Sequence, residues 1–329
     1  VTSQVTPPTT RTPPQRRPDT PVRPRGRTAR NAKTRRALRP WLLLAPALLV
    51  LGALLIYPLI RVTLISLQDY GLRQIVSGDS NYVGFANYTE LFTDSLLWST
   101  ALPNTAVFAV VNVALTVILG TFVALLLQAL GTRWRVVVTT AIMAAWAVPA
   151  VTGTYVWIWM FDPLDGIVTG AAEGLGLIEP GTINWFTDRV AFYAIVTLNV
   201  VHHGFPFVAV TVLAGLLTIP RELTEAAIID GASAWRRFWS VTFPTIRPVF
   251  AVVTILSTIW DFKVFTQIFL MPGGSGANRD VLNLGVWSYT QSFAQNRYGF
   301  GSAIAVVLTL MLMVITVFYI RTLFRDEAL

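Results

Sequence analysis

The 329-residue chain has no cysteine and only two His and two Lys. Without Cys there is no disulfide, no thiolate metal site and no Cys nucleophile. His202 and His203 are adjacent, so no His cluster is available to hold zinc and no metal site is expected. Lys33 and Lys263 do not follow Gly, so the chain has no G-K-[ST] phosphate loop. If ATP is used, another chain binds it. Charge is also scarce, at 13% of residues, against about 25% in soluble domains. The hydrophobic fraction is 54% and the mean hydropathy +0.59. This composition argues against a soluble enzyme.

The charge that is present is unevenly placed. Residues 1–40 hold ten Arg, one Lys and one Asp, a net +10, and the other 289 residues net −2. The whole-chain +8 therefore describes a tail rich in Pro, Thr and Arg. It has too little apolar surface to offset the entropy of ordering and reads as a disordered basic cytoplasmic tail. Its basic region is too long for a secretory signal peptide. The tail suits positive-inside flanking sequence for a first span better than it suits nucleic-acid binding.

About 20 apolar residues cross a bilayer as a helix. Six stretches qualify: 41–60, 103–130, 136–161, 190–217, 249–270 and 299–320. The third ends in the aromatic cluster YVWIWMF, which suits a membrane interface. With the N-terminus inside, the short inner loops and C-terminal end (44 residues) hold eight Arg, and the outer loops (99 residues) hold five. The expected fold class is all-α, a polytopic bundle of six transmembrane helices over 41–325, with both termini cytoplasmic. Small residues such as Gly120 with Ala124, and Gly301 with Ala305, are expected at helix contacts.

The inner loop 218–247 reads TIPRELTEAAIIDGASAWRRFWSVTFPTIR. Pro220 suits a first helical position, and Glu222 and Glu225 lie near that helix's start, where the dipole favours anions. Gly231 provides a stop, and Ser233 a cap for a second helix. Trp235, Phe238, Trp239 and Thr242 follow helical i, i+3, i+4, i+7 spacing. This aromatic stripe suits a groove on a partner. Both ends of the loop are tethered to spans, which leaves a DNA-reading helix-turn-helix no room to enter a groove.

Glu225-Ala226-Ala227, then Gly231, then Val241-Thr242-Phe243-Pro244 resembles the E-A-A-x-x-x-G-(x9)-I-x-L-P loop of permease subunits of bacterial ABC importers. Val241 stands for Ile and Phe243 for Leu, both mild departures. Asp230, Pro248 and the stretch FLMPGGSG…VWSYTQSFAQNRYGFGSAIAVVL are similar to the carbohydrate branch. In that branch's L-T-x-G-G-P pattern Leu270, Gly273 and Gly274 match, while Met271 and Ser275 replace Thr and Pro. The resemblance is strongest to the first of the two permeases of the maltose-type, di- and oligosaccharide group. It implies a subunit without catalytic residues that forms half of a translocation pathway in the bacterial cytoplasmic membrane. The implied partners are a second permease, two cytoplasmic ATPase subunits that bind ATP and Mg, and an extracytoplasmic solute-binding protein. It also implies that Glu225, Ala226, Ala227, Asp230, Gly231 and Pro244 couple the chain to the ATPase; helical spacing adds Trp235, Phe238 and Trp239.

Polar groups within spans are costly and default to functional candidates. Asn199 and His203 are spaced i, i+4 in span four, before an expected helix distortion at Gly204 and Pro206. Span five offers Asp261, Lys263 and Gln267, and span three Trp146 and Tyr155. Hydrogen-bonding side chains beside aromatic faces suit a neutral polyol. Trp157 and Trp159 read rather as an interfacial belt.

Two other classes are weighed. Gly273-Gly274-Ser275-Gly276 matches a G-x-S-G nucleophile pattern, with His202 or His203 as base, for an intramembrane serine protease. A Gly-rich loop tip explains the same residues without chemistry. A self-sufficient channel or carrier has no need of an elaborate coupling loop. Within the importer reading the alternative solutes are amino acid, polyamine or phosphate.

Overall fold

The structure, a computed structural model, describes residues 43–79, 81–274 and 278–327. The basic tail, the first two residues of the expected first span, and Ser275 with Gly276 lie outside the described residues. The chain divides into two units, 1–58 and 59–329.

The described residues are helical, with two isolated bridges, Gln68 with Tyr82 and Gly71 with Arg297, and no strand. The helices are α1 (Leu43–Ser66), α2 (Leu72–Ser77), α3 (Ala86–Thr93), α4 (Leu97–Ala129), α5 (Thr132–Trp146), α6 (Ala150–Met160) and α7 (Ile167–Gly174). They continue with α8 (Arg189–Leu216), α9 (Arg221–Ile229), α10 (Ala234–Arg237), α11 (Arg247–Phe262), α12 (Thr266–Leu270), α13 (Leu284–Tyr289) and α14 (Tyr298–Glu327). Five helices are long and apolar enough to span a bilayer, with α11 and α12 (Arg247–Leu270) taken together as one of them, and six spans result if the bent pair α5–α6 counts as one.

In the first unit, residues 43–58 carry exposed apolar side chains such as Leu49 and Leu54. In the second unit α4 packs chiefly on α8. Gly120 permits their close approach: a Cβ there would come within 2.6 Å of Val208 Cβ. Ala124, one turn on, is fully buried. Gly301 lies against Ser288 and Ser292.

The core has two parts. One gathers Phe108, Phe192, Trp287 and Phe300 around the Leu97 end of α4, and the other gathers Leu127, Val212, Leu216 and Phe250 around its Ala129 end. The 33 residues of α4 separate these ends by about 50 Å. At the Ala129 end, Arg135 donates to the backbone carbonyls of Leu127, Gln128 and Leu130. It thereby supplies partners for carbonyls that a helix terminus leaves orphaned.

Three spans differ from the sequence reading. The third, expected as one helix over 136–161, is two helices bent by 87° at residues 147–149. Pro149 explains the break: it has no N–H to donate and forces the preceding residue out of the α region. In the fifth, helix α11 stops at Phe262 and α12 starts at Thr266. Asn283 Nδ2 donates to the Val264 carbonyl exposed by that gap, at 2.8 Å. In the fourth, the distortion expected at Gly204 and Pro206 does not interrupt the helix, and α8 continues through both.

Candidate functional site: a midspan cavity and a loop at one end

The bend between α5 and α6 opens a cavity of about 200 Å³. Asn199, His202 and His203 of α8, Gln267 of α12 and Trp157 of α6 line it. Asn199 and Gln267 are buried, at 4% and 6% exposure. The His202 ring lies 6.0 Å from that of Trp157, which stacks on Phe161 at 5.7 Å. The cavity thus combines amide and imidazole hydrogen-bonding groups with an aromatic face, and no carboxylate lines it.

The structure brings together three of the seven substrate candidates, Asn199, His203 and Gln267, and leaves four outside the cavity. Trp146 stacks on Phe207, which meets Trp260 edge-on. Tyr155 is exposed. Asp261 is buried, its Oδ2 without a hydrogen-bond partner, whereas Lys263 is exposed. Trp157, read from the sequence only as an interfacial aromatic, also lines the cavity, whereas Trp159 is exposed. The 87° bend turns part of the aromatic cluster inward, which a straight helix would not do.

The loop lies at the other end of α8. Pro220 caps α9 rather than opening it, and Glu222 falls in the first turn. Ala232 N–H donates to Ala227 O and Gly231 N–H to Ile228 O, while Gly231 has φ +73°. These are the two bonds of a Schellman stop, with glycine in the left-handed position. Ser233 caps α10, accepting from Arg236 N–H at 3.3 Å. Beyond α10 the backbone widens into a π turn, Phe238–Thr242, followed by the short helix Phe243–Thr245, which contains Pro244.

Glu225, Ala226, Asp230 and Gly231 are exposed, as are Leu223, Ile229 and Trp235. The aromatic stripe leans against the chain's own α4. Trp235, Phe238 and Trp239 share an apolar groove of about 510 Å³ with Ile118 and Phe122. Phe238 also packs on the core at the Ala129 end. The π turn rotates the stripe out of ideal helical register, which the spacing in the sequence does not reveal.

A bent and interrupted helical bundle, with a largely apolar cavity at its break into which a few amide and imidazole residues are gathered and a capped helix–turn–helix at one end, suits a membrane transport subunit. Comparison with known proteins identifies its kind. Residues 116–326 match the family described as binding-protein-dependent transport system inner membrane component, and the chain belongs to that family. It is a permease subunit of an ABC importer rather than an enzyme. The diacetylchitobiose uptake system permease protein DasB of Streptomyces coelicolor is 36% identical over 271 residues, which cover 82% of each chain. The trehalose/maltose transport system permease protein MalF of Thermococcus litoralis is 34% identical over 242 residues, 73% of this chain and 79% of that one. A permease chain from a bacterial ABC transporter that imports the acidic polysaccharide alginate shares the fold. Its TM-score is 0.75 at 19% identity, covering 90% of this chain and 99% of that one.

Among the described residues no group of three or more His, Cys, Asp and Glu could hold a metal ion.

Proposed function

We propose that this chain forms half of the translocation pathway of a carbohydrate importer and takes di- or oligosaccharides through the cavity between α6, α8 and α12. The observation that carries the reading is the convergence of Asn199, His203 and Gln267 on one cavity with His202 and Trp157. Hydroxyl groups donate and accept hydrogen bonds at such amides and imidazoles, and sugar C–H faces stack on indole. The solutes in the names of its relatives, diacetylchitobiose and trehalose/maltose, support the same class. At about 200 Å³ the cavity is smaller than the ~300–1,000 Å³ of typical ligand sites. A second permease supplies the remaining wall.

The 218–247 loop faces the cytoplasm in this reading, both termini are inside, and the basic tail flanks the first span. Two ATPase subunits bind ATP and Mg and dock on the loop. Glu225, Ala226, Ala227, Asp230 and Gly231 form the contact, together with exposed Ile229 and Trp235. Phe238, Trp239 and Pro244 transmit its movement to α4 and α11. An extracytoplasmic binding protein delivers solute at the opposite end.

The test is uptake of labelled oligosaccharides by cells with and without the chain, and with Asn199→Leu or Gln267→Leu. The expected result is uptake of at least one sugar, with KM raised about tenfold by either substitution, the worth of one hydrogen bond. Uptake confined to amino acids or phosphate overturns the carbohydrate assignment.

A further inference from the structure

Two cavities of opposite chemistry abut near the Ala129 end of α4. The first, of about 680 Å³, lies between the ends of α4 and α8 and the loop helices α9 and α10. Arg135, Arg221 and Arg237 line it, and no carboxylate does. Arg135 uses Nε and Nη2 on backbone carbonyls, which are neutral, so its charge persists. Among the described residues no carboxylate pairs with any of the three. The second cavity is the apolar groove of about 510 Å³ beneath the aromatic stripe. The two share Leu125, Ala234 and Phe238.

One face of α4 runs under both. Ile118, Phe122, Leu125 and Ala129 follow i, i+4, i+7, i+11 spacing, a single stripe along the helix. Ile118 and Phe122, in the groove, are 65% and 58% exposed. Trp239, Phe243 and Phe250 line the same groove from the loop and α11. Ala129 ends the span, so the arginines lie at the membrane surface and the groove runs into hydrocarbon. Ile118 stands about 16 Å along the axis from Ala129, close to half of the ~30 Å hydrocarbon core. The groove thus reaches through the depth of one leaflet.

We infer that the paired cavities hold one anionic phospholipid, with its phosphate in the arginine cavity and an acyl chain in the groove. Guanidinium groups donate to phosphate oxygens, and basic pockets between spans recognise acidic headgroups by that means. A zwitterionic headgroup adds an ammonium, which the unpaired arginines repel, so net negative charge is selected. A free phosphate would satisfy the arginines and leave the groove uncovered, and an uncharged alkyl chain would do the reverse. An anionic amphiphile matches both. Ala234 and Phe238 stand at the junction, so the bound lipid braces the 218–247 loop against α4. The inference rests on α4 crossing the bilayer and not on which solute is carried.

The test uses the complete importer, with its companion permease and ATPases, in phosphatidylcholine nanodiscs. The probes are trace phosphatidylglycerol and trace phosphatidylcholine, each with a photoactivatable diazirine on one acyl chain. Crosslinks within 117–125 and 234–250 are quantified by mass spectrometry. The phosphatidylglycerol probe is expected to label both segments, and the phosphatidylcholine probe far less. Each arginine beside an anionic headgroup is worth roughly fivefold, so Arg221→Gln with Arg237→Gln should lower labelling about 25-fold. Arg221→Lys with Arg237→Lys keeps the charge and should retain most of it, which a merely structural role for these arginines would not predict. Ile118→Trp, which fills the groove, should abolish labelling of 234–250. Inorganic phosphate at millimolar concentration should not compete. Equal labelling by both probes, or labelling indifferent to the Gln pair, overturns headgroup recognition. Competition by phosphate makes the arginine cavity a free-anion site and overturns the lipid. No labelling of either segment means that a companion subunit fills the groove, which overturns the inference as well. Each of these results leaves the carbohydrate reading standing.

Discussion

Replacement of Gly231 separates backbone geometry from bulk at the 218–247 loop, the proposed ATPase contact. Its φ of +73° is left-handed, and a Cβ there would meet nothing within 4 Å. The cost of Gly231→Ala is therefore conformational, about 1–2 kcal/mol for an L-residue in that region. That amounts to a factor of roughly 5–30 in the population of the closed turn. Asn visits the left-handed region more readily than Ala. Gly231→Asn should therefore lose less coupling than Gly231→Ala, although its side chain is larger. Gly231→Trp combines the backbone cost with a bulky group on the exposed face beside Asp230, and should lose most. The assay is the ratio of sugar transported to ATP hydrolysed by the reconstituted complex, with membrane insertion checked separately. The expected order of coupling is Gly, Asn, Ala, Trp. If Asn couples worse than Ala, side-chain size governs the site and the Schellman stop is not what matters. Normal coupling in Gly231→Trp refutes docking at this turn altogether.

Other outcomes follow from the packing. Gly120→Val places a Cβ 2.6 Å from Val208 Cβ; overpacking of that kind costs about 1–3 kcal/mol, read as a lower thermal midpoint of the purified chain. Asn87→Ala removes two donations, to Ser66 O and Gln68 O at 2.9 Å each. The buried carbonyls left behind should cost about 1–3 kcal/mol, measured by thermal unfolding in detergent. The Asp162 carboxyl accepts from the N–H groups of Asp165 and Leu164, which hold its pKa below the usual carboxylate range. The sign follows: a depressed folded pKa stabilises the 162–165 turn above the ordinary carboxylate pKa, and that contribution fades as pH falls through the folded value. The protection factors of the Leu164 and Asp165 amides, relative to intrinsic exchange at each pH, should fall at acid pH in the natural chain, and Asp162→Asn should remove most of that pH dependence.

The spans and the loop were legible because their signals are local. Uncharged runs mark α4 and α8, and the α9 stop is written in Gly231 and Ser233. Asn199 and His203 were legible as neighbours from one helical period. Gln267 joins them only through the gap at Lys263–Phe265, where Asn283, 19 residues on, supplies the missing hydrogen bond. No periodicity within span five encodes that contact. Pro149 was visible in the sequence, but an uncharged run around it reads as one continuous helix, since apolar composition reports burial in lipid and not direction. The turn lies beside α8 and α12, whose Asn199, His203 and Gln267 line the same cavity as Val148 and Ala150.

That coincidence bears on how the pathway works. A non-helical backbone segment within a membrane is tolerated only where protein or a water-filled cavity covers it. The breaks in α5–α6 and α11–α12 are not independent flaws: Val148 and Ala150, at one, and Gln267, just beyond the other, line the same cavity as Asn199. Each break supplies a wall for it, and at the second Asn283 satisfies the exposed Val264 carbonyl. Core packing joins α8 to the loop through Leu213, Leu216, Ile246 and Phe238. A displacement of α9 and α10 therefore reaches α8 through packed side chains rather than through a flexible linker. Packed interfaces shift between discrete arrangements instead of deforming smoothly, so movement imposed on the loop should reposition Asn199 and His203 relative to Gln267. If so, weakening the loop–core contact with Phe238→Ala, which removes the ring packed on that core, should slow transport without altering solute affinity. A changed KM with unchanged kcat would place the effect in the cavity instead.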